Sequence, residues 1–208
     1  MKILGLTGGI GMGKSTAAKS FRRLRVPIFD ADATVHALQG RGGRAVGPIG
    51  AAFPGTLRDG RVDREALRQA VLGKPEALTR LERIVHPLVR DAERRFLAAA
   101  RRRAARLVVL DIPLLFETRG QGRCDLVVVV TAPAAVQRWR VLQRKGMTPD
   151  RLKAILARQT PDREKRRRAD VVVHSGLSRH HAQRAIRRIV REVRSGGEEA
   201  SLPLLPMS

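Results

Sequence analysis

Gly8-Gly9-Ile10-Gly11-Met12-Gly13-Lys14-Ser15, close to the start of the chain, fits the pattern G-x-x-x-x-G-K-[ST] without a mismatch. The apolar run Lys2–Thr7 before it is predicted to be a buried strand, and Ser15–Arg23 after it has polar and apolar residues at helical spacing. A strand, a glycine-rich turn and a helix in this order form a phosphate-binding loop, or P-loop, whose backbone N–H groups and helix dipole attract phosphate. We therefore predict a nucleoside triphosphate site in which Lys14 reaches the β- and γ-phosphates and the Ser15 hydroxyl ligates Mg²⁺.

Strands and helices continue to alternate beyond this loop. The predicted strands are Val26–Phe29, Leu107–Asp111, Leu126–Thr131 and Val171–Val173, and predicted helices are Pro133–Lys145 and Ser178–Arg194. Thr148 and Thr160 each precede Pro-Asp, which predicts an N-cap followed by proline in the first helical turn. The pattern is that of an α/β protein whose parallel sheet has helices on both faces.

A helical block, about residues 33–105, interrupts the strand pattern and is the candidate for an inserted substrate lobe. Gly40–Gly50 is rich in glycine and predicts a loop. The predicted helices that follow are Asp63–Leu72 with Asp63 as N-cap, Pro75–Val85 and Leu88–Ala105, with His86-Pro87 at the junction of the last two. Residues 195–208 are expected to form a loose tail.

Composition and charge narrow the class of partner. The 208 residues, 43% of them hydrophobic, suit one globular domain with a small inserted lobe. No apolar run approaches the ~20 residues of a membrane span, and Lys2–Thr7 is too short for the apolar region of a secretory signal, so we expect a cytoplasmic protein. The net charge of +23 favours polyanions, but aromatic residues are only 3%, with no tyrosine, so stacking platforms for nucleic acid are scarce. We expect phosphorylated small molecules as partners, and no specific nucleic acid.

Two acidic sites at the ends of predicted strands have two interpretations each. Asp30-Ala31-Asp32 follows the second strand, at the edge that faces the ligand crevice of open α/β sheets. A carboxylate there can accept the proton of an attacking hydroxyl, or one of the two can cap the next helix. Asp111 ends a Leu-Val-Val-Leu strand and can support Mg²⁺ as a Walker B acid or serve as a helix or loop cap. Spacing alone leaves these alternatives open.

Basic side chains after the strand Leu126–Thr131 are candidates for stabilising the charge of a transferring phosphoryl group. A mobile lid that carries arginine would also exclude water when it closes. The series is Arg138, Arg140, Arg144, Arg151 and Arg158. In a chain this basic, a solvated surface is the better interpretation for any single one of them. His86 is either a structural residue or a contact for a substrate phosphate or hydroxyl, and the single cysteine, Cys124, is expected to be a packing residue.

From Met1 to about Arg194 the sequence resembles the dephospho-coenzyme A kinases. The resemblance rests on Leu6–Thr16 (LTGGIGMGKST), Asp30-Ala31-Asp32, His86-Pro87, Pro113–Glu117 (PLLFE), Gln137, Arg140, Arg144, Gln159 and Ala169-Asp170. Many unrelated proteins share a P-loop, whereas its combination with Thr7, the Asp-Ala-Asp triplet and the PLLFE run is far more specific.

The resemblance implies a P-loop kinase core of five parallel strands from residues 1–32 and 106–194, the lobe 33–105 for the coenzyme A part, and a lid at about residues 138–160. It also implies ATP with Mg²⁺ as donor and dephospho-coenzyme A as acceptor, with Asp32 rather than Asp30 as general base for the ribose 3′-hydroxyl. The implied catalytic residues are Asp32, Lys14 and Arg140. The implied ATP contacts are Gly9, Ile10, Gly11, Met12, Gly13, Lys14, Ser15, Thr16 and Arg144, and the implied substrate contacts are Thr7, Asp32, His86, Pro113 and Leu114.

Two positions depart from the family, and two other functions remain open. Met12 stands where the family usually has serine or another small residue, and its side chain is expected to be able to face outward. His174-Ser175-Gly176 stands where the family often reads Asp-Asn-Ser-Gly, near the adenine end. A P-loop kinase for a nucleoside or nucleoside monophosphate would share the loop and lid but is disfavoured by the Asp-Ala-Asp and PLLFE combination. An RNA-associated or non-enzymatic P-loop module would suit the charge but does not need a base beside the γ-phosphate.

Overall fold

A computed structural model describes residues 1–195 of the protein. The strands of these residues form a five-stranded parallel sheet and a short hairpin. The strands are β1 (Lys2–Thr7), β2 (Ile28–Asp30), β3 (Leu57–Arg58), β4 (Arg61–Val62), β5 (Leu107–Asp111), β6 (Leu126–Thr131) and β7 (Val171–His174). The order in the sheet is β2-β5-β1-β6-β7, while β3 and β4 form the hairpin. The prediction of a parallel α/β sheet is therefore confirmed. The predicted tail, residues 195–208, lies outside the described residues except for Ser195.

The chain folds into two compact units. One contains Met1–Phe29 and the chain from Ala100 on, and the other is Asp30–Ala99. The helices of the first unit are α1 (Lys14–Arg23), α6 (Ala134–Leu142), α7 (Pro149–Ala157), α8 (Asp162–Arg167) and α9 (Arg179–Arg194). The second unit contains α2 (Ala31–Gln39), α3 (Val46–Ala52), the hairpin, α4 (Arg64–Val71) and most of α5 (Pro75–Arg102). The lobe predicted at residues 33–105 stays a prediction as a functional unit.

The core of the first unit forms because its central strands are apolar on both faces. All five residues of β5 are buried, and Leu4 and Leu6 of β1 are fully enclosed. Phe21 of α1 and Ile186 of α9 pack against this sheet, while the arginines of α9 lie on its outer side. None of the helices formed by residues 1–195 is both long and apolar enough to cross a membrane.

The second unit has its own core, and two predictions fail there. Val85 and Leu88, on either side of Pro87, pack into that core, so α5 continues through the proline and the predicted junction at His86-Pro87 is wrong. This packing outweighs the backbone hydrogen bond that Pro87 cannot make. The predicted loop Gly40–Gly50 is also wrong in its second half, because the fully buried Ile49 stabilises α3 despite the glycines.

The predicted N-caps are confirmed at two helices and shifted at a third. Asp63 and Thr148 each accept a hydrogen bond from a backbone N–H in the first turn that follows. Ser178, predicted only as the start of the last helix, caps α9 in the same way. At α8 the N-cap is Pro161 rather than Thr160. The Thr160 N–H instead donates to the Glu117 carboxylate at 2.8 Å, so a contact distant in sequence fixes this residue.

Candidate active site

The P-loop lies between β1 and α1 and bends more sharply than a residue with a Cβ would allow. A Cβ on Gly8 would lie 2.6 Å from the carbonyl oxygen of Val130 in β6. Gly13 has φ of 88° and ends the loop as the N-cap of α1, where no side chain accepts from the first turn. The start of α1 therefore presents backbone N–H groups and the positive end of a helix dipole, which is the requirement for binding phosphate.

Lys14 and Asp111 form an ion pair beside the P-loop. The Lys14 Nζ lies 2.6 Å from Oδ1 of Asp111, whose residue is only 4% exposed. Lys14 begins α1 and Asp111 ends β5, so the pair joins the P-loop helix to a neighbouring strand. Two residues that the sequence singled out separately are thus brought together. A carboxylate here holds the ammonium group beside the loop, where a triphosphate would need it.

Ser175 links Arg140 of α6 to the P-loop by hydrogen bonds. Its guanidinium group donates to the Ser175 Oγ at 3.0 Å and to the Ser175 carbonyl at 2.8 Å. Ser175 in turn donates from Oγ to the carbonyl of Met12 at 2.7 Å. The Met12 side chain is 3% exposed, and the Ala132 N–H lies 3.2 Å from its Sδ, so the expectation that it could face outward is wrong.

Two glutamines hold the backbone of Ile10. Gln137 Nε2 donates to the Ile10 carbonyl at 2.8 Å, and the Ile10 N–H donates to Gln159 Oε1 at 3.2 Å. Neither glutamine was predicted as a site residue, and Ser175 was not either. The family resemblance includes both glutamines but assigns them no role. Gln137 is buried on α6, where a buried amide usually has a hydrogen-bond partner.

The PLLFE run is tied to β1 and to the segment before α8. The Thr7 Oγ1 donates to the Pro113 carbonyl at 2.9 Å. At the other end of the run, Glu117 Oε1 lies 2.9 Å from Lys165 Nζ, and the Lys165 residue is fully buried. Burial opposes ionisation of Glu117, but the nearby Lys165 ammonium group and hydrogen bonds from its own N–H and from the Thr160 N–H outweigh burial and lower the pKa of its carboxyl. Thr160 adjoins Gln159, so this buried ion pair fixes the backbone next to a residue that contacts the P-loop.

The other predicted residues are more exposed. Arg138 and Arg144 have exposed side chains in and just after α6, as do Arg151 in α7 and Arg158 directly after it, while Leu114 is 41% exposed in the PLLFE run. Asp32 and His86 belong to the second unit, and both are exposed there. Asp30 is the N-cap of α2, accepting from the Ala33 N–H at 3.0 Å. Asp32 therefore does not cap this helix.

Few protein oxygens at the P-loop could act as ligands of a magnesium ion. Over residues 1–195, no three His, Cys, Asp or Glu side chains come together in a way that could hold a metal. Mg²⁺ in nucleotide sites takes most of its ligands from phosphate oxygens and water, with one or two from the protein. The exposed Ser15 in the first turn of α1 and the carboxylate of Asp111 fit this limited requirement.

A parallel sheet with a P-loop between its central strand and the first helix, and with a lysine held beside that loop, defines a nucleoside-triphosphate-binding protein of the P-loop class. Comparison with known proteins narrows this class. The profile of the dephospho-CoA kinase family matches residues 2–179. A dephospho-CoA kinase of Paramagnetospirillum magneticum is 68% identical over 166 residues, which are 80% of this chain and 78% of that protein.

A second dephospho-CoA kinase, from Rhodospirillum rubrum, is 55% identical over 196 residues, 93% of this chain and 92% of that protein. A crystal structure of a Thermus thermophilus protein has a similar fold, with a TM-score of 0.79 at 36% identity, and the match covers 92% of this chain and 97% of that one. The chain belongs to the dephospho-CoA kinase family.

The Glu117–Lys165 pair predicts an asymmetric effect on stability. Glu117→Gln leaves a fully buried ammonium group without its counter-charge, and we expect it to lower the free energy of unfolding by about 3 kcal/mol. Lys165→Met leaves a carboxylate with 16% of its side chain exposed and with the Thr160 N–H still donating, so its effect should be smaller. Urea unfolding followed by circular dichroism measures both values.

The pH dependence of the same variants provides a second check. Because the pKa of Glu117 is lowered in the folded protein, its stabilisation is complete above the ordinary carboxyl pKa and is lost as the pH falls through the folded value. Lys165→Met should therefore lose less stability on acidification than the wild type. A larger effect of Lys165→Met than of Glu117→Gln at neutral pH would contradict this description of the pair.

Proposed function

We propose that this chain transfers the γ-phosphoryl group of ATP to the ribose 3′-hydroxyl of dephospho-coenzyme A, which is the last step of coenzyme A biosynthesis. The observation that carries the proposal is the P-loop with Lys14 held 2.6 Å from Asp111, in a chain that belongs to the dephospho-CoA kinase family. A cytoplasmic reaction and the use of Mg²⁺ with ATP are parts of the same proposal.

On the donor side, positive charge and N–H groups would stabilise the transferring phosphoryl group. Lys14 is proposed to move its ammonium group onto the β- and γ-phosphates, and Arg140, held by Ser175 next to the loop, is proposed to neutralise oxygens that gain charge. Arg144 is proposed as a further phosphate contact. Mg²⁺, held by the phosphates with Ser15 and Asp111, would supply additional neutralisation of charge.

On the acceptor side, we propose Asp32 as the general base. An alcohol must lose its proton during the transfer, and a positioned carboxylate typically contributes ~10²–10⁴-fold. Asp32 follows the carboxyl end of β2 by two residues, the end at which open α/β sheets bind ligands. Because Asp30 is the N-cap of α2, the carboxylate of Asp32 is available for this task. Thr7, His86, Pro113 and Leu114 are proposed contacts of the acceptor.

The segment around α7 is proposed to act as a lid. It lies between Gly146, which has φ of 73°, and Gln159, which contacts the P-loop. Most side chains of α7 are exposed and only Leu152 is buried, so little packing opposes its movement. Closure would bring Arg151 and Arg158 over the phosphates and exclude water. The second unit is proposed to bind the coenzyme A part of the acceptor, and the net charge of +23 to serve phosphates of small molecules rather than a nucleic acid.

The first test compares acceptors. The purified protein with Mg²⁺-ATP should release ADP rapidly with dephospho-coenzyme A and much more slowly with adenosine or AMP. Lys14→Ala should remove nearly all of this activity, because the loss of its charge leaves the transferring group without neutralisation. Faster turnover of adenosine or AMP would overturn the proposed acceptor, and near-normal turnover by folded Lys14→Ala would overturn the role of the P-loop lysine.

The second test separates the two aspartates. Asp32→Asn should keep the KM for ATP and lose ~10²-fold or more in kcat, since an amide cannot accept the proton. Asp30→Asn is the matched control, because asparagine caps a helix as well as aspartate does and should lose much less activity. Equal turnover by Asp32→Asn and the wild type would show that this carboxylate is not the base.

A further inference from the structure

The second unit contains a cavity of about 460 Å³ whose walls come from α2, from the hairpin and from the start of α4. It is lined by five basic side chains and a glutamine, namely His36, Gln39, Arg41, Arg58, Arg61 and Arg64. Arg58 and Arg61 are paired directly across the hairpin, so their backbones are fixed next to each other. Arg64 donates to the Nδ1 of His36 at 3.0 Å, which orients its guanidinium group at the α2 side.

The positive charge of this cavity is not balanced by its own acidic residues. Asp63 lines it, but its carboxylate accepts from the N–H groups of Glu65 and Ala66 as the N-cap of α4. Glu65 also lines it, but a hydrogen bond from Arg68 engages its carboxylate and holds the pKa of Glu65 below its usual range. Within residues 1–195, the guanidinium groups of the three cavity arginines other than Arg64 make no ion pair or hydrogen bond. They remain available for an anion.

The helix that carries the proposed base also reaches this cavity. Asp32, His36 and Gln39 are spaced i, i+4 and i+7 along α2, so they lie on one face of the helix. The step from Asp32 to His36 is one turn, about 6 Å along the axis. This step is comparable with the distance across a ribose from its 3′-oxygen to a phosphate on its 5′-oxygen. An acceptor with its 3′-hydroxyl at Asp32 would therefore place its 5′-phosphates at the basic cavity.

We propose that this cavity binds the 5′-diphosphate of the acceptor nucleotide and selects acceptors that carry it. The inference rests on the proposed function, since it uses Asp32 as the base for the 3′-hydroxyl. Guanidinium groups match phosphate oxygens with two parallel hydrogen bonds, and such charged hydrogen bonds are the stronger kind. Adenosine, which lacks the diphosphate, gains nothing from these arginines. The diphosphate takes no part in the transfer and is bound alike in the ground state and the transition state, so the cavity acts on acceptor affinity rather than on the phosphoryl transfer itself.

The test is steady-state kinetics of Arg58→Gln/Arg61→Gln against Arg83→Gln, a control that removes an exposed arginine of α5 in the same unit but outside the cavity. We expect the KM for dephospho-coenzyme A to rise about ten- to a hundredfold in the double variant, with kcat and the KM for ATP within a factor of about two of the wild type. The weak turnover of adenosine should not change, and the control should match the wild type. Arg58→Lys/Arg61→Lys keeps the charge without the paired donors, so its KM for dephospho-coenzyme A should lie between those of the wild type and of Arg58→Gln/Arg61→Gln.

The possible outcomes of this test distinguish a failure of the cavity proposal from a failure of the proposed kinase function. A wild-type protein that makes no coenzyme A overturns the proposed function and this inference together. Normal wild-type turnover with an unchanged KM in folded Arg58→Gln/Arg61→Gln overturns the cavity alone, as does a fall in kcat without a change in KM. A rise in KM equal to that of Arg83→Gln would assign the effect to the general charge of the surface and would also overturn it. Thermal unfolding by circular dichroism checks the fold, and the single variants replace the double variant if it is unstable.

Discussion

The close approach of the P-loop backbone to its neighbours is the constraint on which the rest of the first unit depends. At Gly8 a side chain would collide with the carbonyl of Val130, and at Gly13 with the Oγ of Ser175, 2.7 Å from where a Cβ would stand. The loop therefore lies directly against the backbone of β6 and against the Ser175 side chain in the turn after β7. Phosphate binding requires N–H groups at fixed positions, and this close packing of the loop backbone fixes them.

Polar contacts extend the same constraint to the functional side chains. Ser175 links the Met12 carbonyl to Arg140, and Gln137 and Gln159 hold both backbone groups of Ile10. Lys14 is held from the other side by Asp111 at the end of β5. Each contact joins the loop to a different strand or helix, so the sheet, the helix α6 and the segment before α8 all determine where a triphosphate would lie. This explains how a glycine-rich loop with little intrinsic rigidity can serve as a preorganised site.

The sequence predicts those parts of the structure that local chemistry determines. The P-loop, the strands β1, β5 and β6 and the caps Asp63 and Thr148 depend on nearby residues and were found. The continuous helix through Pro87, the helix α3, the inward Met12 and the shifted cap at α8 depend on packing partners distant in the chain, so local rules failed there. The strand β2 begins two residues later than predicted because the Val26 N–H bonds back to Phe21 at the end of α1. Ser175 and the two glutamines were noted only in the comparison with the family and without a role, since only the folded chain brings them to the loop.

The central claim is that the phosphoryl group is transferred to the ribose 3′-oxygen of dephospho-coenzyme A, and each unit supplies different residues for this reaction. The first unit supplies the phosphate-binding loop with its lysine, and the second supplies the proposed base on α2 together with the basic cavity. The most direct measurement is the position of the new phosphate after reaction of the purified protein with Mg²⁺-ATP and dephospho-coenzyme A, determined by ³¹P NMR. The account predicts one new phosphomonoester coupled to the ribose H3′, in a product that serves as coenzyme A in an acyl-transfer assay. A phosphate at any other oxygen, or ATP hydrolysis without a new phosphomonoester, would contradict it.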